Sequence, residues 1–144
     1  MYRPNDWGVT IMNITYREDR NFNKTELEQL FLSVDWASGK YPDKLMKALT
    51  NCESVFSAYD GDKLIGLINA VDDGAMMAYI HYLLVLPEYQ SKGVGKTLLK
   101  KMIDRYKDYP HLFLLAENQG LIKYYESHGF AIEKEKTAMA IDKM

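Results

Sequence analysis

The sequence predicts an α/β (α+β) fold: a mixed, largely antiparallel central sheet of about six to seven strands flanked by about four helices. Three observations predict it. Apolar periodicity switches between strand and helix spacing in the order strand, two helices, three strands, helix, strand, helix, two strands. Tight-turn sequences at Asp60-Gly61-Asp62 and Asp72-Asp73-Gly74 join neighbouring strands, and hairpins build antiparallel sheets. Residues 79–107 then read as an apolar strand, a glycine-bearing loop and an amphipathic helix.

Taken in order, residues 1–10 are polar with Pro4 and Gly8 and read as a flexible leader; residues 11–144 read as a single domain. Residues 11–16 alternate and form a first strand. Residues 17–23 are a charged connector. A helix beginning at Lys24-Thr25-Glu26 buries Leu27, Leu30, Phe31 and Val34. Residues 35–42 break it, because Gly39 and Pro42 punctuate helices. Asp43 caps a second helix with Leu45, Met46 and Leu49 inward. Residues 54–59 and 63–71 form a hairpin. Pro87 ends the next strand, since proline donates no ladder hydrogen bond. The helix after Gly95 carries Leu98, Leu99, Met102, Ile103 and Tyr106 on one face, and Tyr109-Pro110 ends it. Residues 111–116 are an apolar strand. Residues 119–128 are a short helix with Gly129 as its cap. Residues 130–133 and 137–141 are closing strands joined by the charged turn 133–136.

Composition narrows the function classes. The chain has 144 residues, 47% hydrophobic and 26% charged, ordinary values for a globular domain. A formal charge of -2 argues against nucleic acid as a partner. The lone Cys52 forms no intramolecular disulfide and fits a reducing compartment. No apolar run reaches the roughly 20 residues that span a bilayer. The first ten residues lack the basic start and apolar stretch of a secretory signal. The expected location is the cytoplasm, with no membrane partner.

The loop Gly93-Val94-Gly95-Lys96-Thr97 invites comparison with nucleotide-binding phosphate loops. Those need a glycine five positions before the one preceding Lys-Thr, and that position here is Gln90, so the pattern fails. The two glycines still allow positive φ and close backbone approach. The helix start behind them offers unpartnered amides to an anion, most naturally a phosphate.

Gln90-Ser91-Lys92-Gly93-Val94-Gly95, after a strand ending Val85-Leu86-Pro87, resembles the acetyl-CoA loop of the GNAT superfamily of N-acetyltransferases. Downstream, Asn118 followed by Tyr125-Glu126-Ser127-His128-Gly129-Phe130 resembles that superfamily's second signature. The element order is similar as well, from residue 11 to 141. Within the superfamily, residues 34–38, 41–45 and 69–74 look like the plastid-type enzymes that acetylate aromatic amines and lysines.

The resemblance implies a set of roles. Backbone amides across Ser91, Lys92, Gly93, Val94, Gly95 and Lys96, flanked by Gln90 and Thr97, would cradle the coenzyme diphosphate. Leu83, Leu84 and Val85 would pair with the pantetheine arm as with an added strand. The Val85 amide would polarise the thioester carbonyl. Asn118 would bond the coenzyme near its thiol end, and Tyr125 would be the acid that protonates the departing sulfur. For the base, His81 has the right intrinsic basicity and lies two residues before Leu83, on the same face by alternation. It reads equally as a satisfied sheet histidine. Many members carry a glutamate where this sequence has Tyr79, and a water chain touching Tyr79 and His81 would serve instead. Trp36 and Tyr41 lie where this superfamily builds its acceptor pocket, and they read equally as helix packing. Tyr124 reads as a wall residue, and His111 and His128 lack the spacing of metal ligands, so no metal is expected.

The implied activity is direct acetyl transfer from acetyl-CoA to a primary amine: a small or aromatic amine, a lysine or an N-terminus. The alternative is an acyl-CoA-binding or sensing module without turnover. Many members of the superfamily are dimers. A homodimer is carried over on that ground, although no exposed apolar element in the sequence demands it.

Overall fold

A computed structural model describes residues 2–4 and 10–144. The chain forms two compact units, Met1–Phe113 and Leu114–Met144.

The first unit contains two sheets. β1 (Tyr2–Pro4) and β2 (Thr10–Met12) form an antiparallel ribbon. The main sheet runs in the order β3 (Ile14–Arg17), β4 (Ser54–Asp60), β5 (Lys63–Asp72), β6 (Met77–Val85), β7 (His111–Phe113). Every pairing is antiparallel except β6 with β7, which is parallel. The helices are α1 (Lys24–Ser33), α2 (Pro42–Asn51) and α3 (Val94–Arg105). The second unit contains α4 (Gln119–Glu126). This is the mixed sheet-and-helix architecture expected, with four α-helices among the described residues, but the main sheet has five strands and not six to seven, because β1 and β2 pair with each other in a separate ribbon. Among the described residues no helix is long and apolar enough to cross a membrane.

All seven residues of β4 are buried, so both faces of the sheet are covered. That explains why β4 and β5 read as nearly continuous apolar runs, as two-face burial requires. α1 and α3 both pack on β5. Leu27, Leu30 and Phe31 of α1 are buried, as are Leu98, Leu99 and Met102 of α3. Gly66 sits tightly against β6: a Cβ there would meet the Leu84 carbonyl oxygen at 3.0 Å, with Leu98 Cδ1 of α3 in ordinary contact at 3.5 Å.

Local chemistry sets the helix ends. Asn23 caps α1, its side chain accepting from Thr25 N at 2.8 Å and Glu26 N at 3.2 Å. Pro42 opens α2, where its fixed φ suits a first helical residue. Asp43 therefore sits inside the first turn of α2 instead of capping it, and it pairs with Lys24 at 3.0 Å. Arg20 closes the other end of α2. Its guanidinium donates to the carbonyls of Thr50 at 2.8 Å, Leu49 at 3.3 Å and Glu53 at 3.1 Å, and also to that of Cys52. A cation among terminal carbonyls is favourable to the helix dipole.

Three further expectations change in the first unit. The first strand divides at Asn13, whose amide leaves the ladder for Asp60 Oδ1 at 3.0 Å. Of the expected leader, residues 2–4 and 10 are paired strand, while residues 1 and 5–9 lie outside the described residues. The strand expected over 111–116 is only three residues long, because its parallel pairing with β6 covers only Met77–Tyr79.

In the second unit, α4 ends in a Schellman turn. Gly129 takes φ 97°, its amide bonds Glu126 O at 3.1 Å, and the Phe130 amide bonds Tyr125 O at 3.1 Å. The closing strands expected over 130–133 and 137–141 are absent: these residues have no ladder, and Met139 and Ile141 are 93% and 90% exposed. Alternating apolar residues give strand propensity, but a strand exists only when a partner supplies its hydrogen bonds.

Candidate active site

The first unit presents a strand, a loop and a helix start in direct succession. A 3-10 turn at Pro87–Tyr89 leaves β6, with Leu86 N bonded to Ile65 O at 2.8 Å. Gln90 Nε2 then donates back to Val85 O at 3.0 Å, tying the loop to the strand end. Ser91 has φ 64° and Gly93 φ 83°, so two left-handed residues turn the chain into α3. A left-handed serine is uncommon and is strain held in place by its surroundings. No side chain caps α3. Its first-turn amides at Val94, Gly95 and Lys96 have no intrahelical acceptor and lie at the positive end of the helix dipole. Thr97 turns its hydroxyl back onto Gly93 O at 2.9 Å. Ser91, Lys92, Gly93 and Lys96 are exposed, whereas Val94 is buried and fixes the helix to the sheet.

β6 contributes the second feature. β5 pairs with it through Val85, yet β7 pairs only as far as Tyr79. Among the described strands, the β7-side edge of residues 80–85 therefore has no ladder partner. Leu83 is half-buried, and Leu84 and Val85 are buried. This edge and the uncapped helix start lie at the two ends of one short loop.

A bulge shapes the middle of β6. Asn69 pairs with Tyr82 but Ala70 pairs with Ile80, leaving His81 as the extra residue. Plain alternation would set His81 with Leu83 and Tyr82 opposite. Instead the His81 ring stacks on Tyr82 at 3.9 Å, with Tyr79 at 5.7 Å. The expectation from alternation is thus corrected. Partial burial desolvates the imidazole and lowers its pKa below the ordinary 6.5. Burial raises the Tyr79 phenol.

Buried Asn69 holds this bulge. Its side-chain oxygen accepts from Tyr82 N at 2.9 Å, an amide that the bulge removes from the regular ladder. Asn69→Ala is expected to destabilise the fold by about 1–3 kcal/mol, the cost of stranding a buried donor. A lower urea midpoint at unchanged slope checks it.

Tyr82 is the residue that sequence reasoning missed. Its ring lies 5.8 Å from Trp36 and 4.8 Å from Phe31, and its hydroxyl meets Ser38 Oγ at 2.9 Å. Trp36 is delivered by a Schellman turn at the end of α1: Asp35 takes φ 58°, and the Trp36 amide bonds Phe31 O at 3.1 Å. Trp36, His81 and Tyr79 thus join one aromatic cluster through Tyr82. Tyr41 is the N-terminal flank of α2, and its half-exposed ring lies 5.6 Å from Lys44 Nζ.

In the second unit, Asn118 caps α4, its side-chain oxygen accepting from Leu121 N at 3.0 Å. Tyr125 follows seven residues later, close to two helical turns, hence on the same side of α4. It is buried, with Tyr124 at 5.4 Å and Phe130 at 5.8 Å, both edge to face. Burial foremost, with Tyr124 and Glu117 adding, pushes its phenol up to about 12. Such a phenol keeps its proton throughout the physiological range and serves as a donor.

Residues 17–130 match the profile of the acetyltransferase (GNAT) family. The chain is 30% identical over 129 residues to an uncharacterized N-acetyltransferase ycf52 of Pyropia yezoensis, covering 85% of this chain and 72% of that one. It is 37% identical over 75 residues to the chloroplastic GCN5-related N-acetyltransferase 2 of Arabidopsis thaliana, 51% of this chain and 29% of that one. Among solved structures it is similar to a GNAT-family acetyltransferase of Streptococcus pneumoniae TIGR4. There the TM-score is 0.79 at 28% identity, over 91% of this chain and 98% of that one.

Proposed function

Because the chain belongs to the GNAT family of acetyltransferases, we propose that it moves an acetyl group from acetyl-CoA directly to a primary amine. The observation that carries this reading is the open edge of β6 joined by one short loop to the uncapped start of α3. The edge offers backbone groups to the amides of a pantetheine arm. The helix start offers N–H donors to a diphosphate. Acetyl-CoA supplies both, together with an activated acyl thioester.

The chain's own residues account for the protons. One N–C bond forms as one C–S bond breaks, and the acceptor ammonium gives up two protons. His81, with its lowered pKa, is neutral at pH 7 and takes the first, directly or through water with Tyr79. Tyr125 gives its phenolic proton to the departing sulfur and regains one from the acceptor nitrogen. The Val85 amide donates to the acyl oxygen. Asn118 keeps its side-chain amino group for the coenzyme while its oxygen caps α4.

The cluster of Trp36, Tyr79, His81 and Tyr82 favours an acceptor with a flat or cationic group, since ring faces attract both. Small aromatic amines are the acceptor class put first. Lysine and N-terminal amines are the arms against which to compare them.

The experiment is a thiol-release assay with acetyl-CoA and a panel of aromatic amines, aliphatic amines and lysine peptides. Free thiol released in step with acetylated amine is expected, fastest with an aromatic amine. Coenzyme A binding without thiol release across the panel would leave only a binding module and overturn the catalytic reading.

A further inference from the structure

The proposed diphosphate loop hangs from a buried polar pair that no motif points to. Across residues 87–93, between β6 and α3, Tyr89 alone is buried; Pro87, Glu88, Gln90, Ser91, Lys92 and Gly93 are all exposed. The Tyr89 side chain is 0% exposed, and its hydroxyl donates to Asp60 Oδ2 at 2.6 Å. Asp60 ends β4 and is 1% exposed; its other oxygen accepts the Asn13 amide at 3.0 Å. Lys63 Nζ lies 5.6 Å over the Tyr89 ring.

A carboxylate is expensive to bury, and an apolar pair of similar volume would fill this space at least as stably. What the polar pair adds is direction. The 2.6 Å separation is that of a charge-assisted O–H···O bond, which demands one placement of the ring relative to the end of β4. The ring in turn fixes the 3-10 turn, where Tyr89 N bonds Leu86 O at 2.9 Å and Gln90 N bonds Pro87 O at 3.2 Å. Left-handed Ser91 and Gly93 follow within four residues, leading straight into α3. The uncapped amides therefore inherit their position from two buried anchors, Tyr89 before the loop and Val94 after it, and from the bond of Gln90 to Val85.

We propose that Asp60 and Tyr89 are positioning residues that set the loop for the coenzyme's diphosphate. This rests on the acetyl-CoA reading above. Two donors separate the effect from general stability: acetyl-CoA, and acetylpantetheine, which has the same thioester but no diphosphate. Tyr89→Phe keeps the ring and removes the bond. Its calorimetric Kd for coenzyme A is expected to rise about tenfold, the scale of one charge-assisted hydrogen bond. Its kcat/KM with acetylpantetheine is expected to stay at the wild-type value. Asp60→Asn keeps the volume but replaces one acceptor oxygen by an amino group, and it is expected to show the same selectivity with a smaller loss. Wild-type coenzyme affinity in both variants overturns the proposal, as does an equal loss with both donors. If neither variant melts cooperatively by circular dichroism, the pair is a folding determinant and the proposal is likewise overturned. Failure of the wild-type protein to bind coenzyme A would sink the acetyl-CoA reading itself, a different result from any of these.

Discussion

Tyr125→Phe is expected to lower kcat for acetyl transfer by about 10²–10⁴-fold, the usual worth of a positioned general acid. The substitution removes one oxygen from a side chain that already packs edge to face on Tyr124 and Phe130, so the hydrophobic contacts survive. Affinity for acetyl-CoA is expected to hold within about twofold, because the interaction lost acts on the departing sulfur and not on the bound coenzyme. Since burial pushes the phenol up to about 12, its ionisation gives no alkaline limb to the wild-type profile below pH 9. Steady-state kinetics beside calorimetry check the split. Unaltered turnover in a folded variant would remove Tyr125 from the chemistry, and loss of coenzyme binding would make it a packing residue of α4.

His81→Gln is expected to abolish the acidic limb of kcat/KM against pH and to lower the plateau by about 10²-fold or more. The sign follows from the imidazole's surroundings. Partial burial disfavours its charged form, so its pKa lies below 6.5 and it is neutral, hence basic, at pH 7. Activity in the wild-type protein should therefore fall only as pH drops through that lowered value. A pH profile in the variant that matches wild type would leave His81 a sheet histidine. A limb that persists but moves would pass the role to Tyr79 and water.

Features with a local cause were legible in the sequence. Gly129 had to follow a helix in left-handed backbone, and it does, at φ 97°. The hairpin at Asp60-Gly61-Asp62 and the glycine loop before α3 were equally plain, because each turn needs its residue type in place. Features made by distant partners were not legible. The bulge that brings His81 beside Tyr82 depends on Asn69, on another strand, and an unbroken apolar run hides any shift of alternation. Nothing local marks Tyr89 as an anchor, since its partner Asp60 lies 29 positions away. The tail beyond Phe130 misled for the same reason. Its pattern suits a strand, while pairing is decided elsewhere in the chain.

The open edge of β6 carries a cost away from chemistry. Among the described strands, residues 80–85 have no ladder partner on the β7 side, and every second residue there turns its backbone groups to that side, as at the borders through which proteins stick to one another. On the acetyl-CoA reading, a coenzyme lying along that border would mask it. Its concentration would then set how long the protein stays monodisperse, and preparations stripped of it are expected to precipitate first on storage.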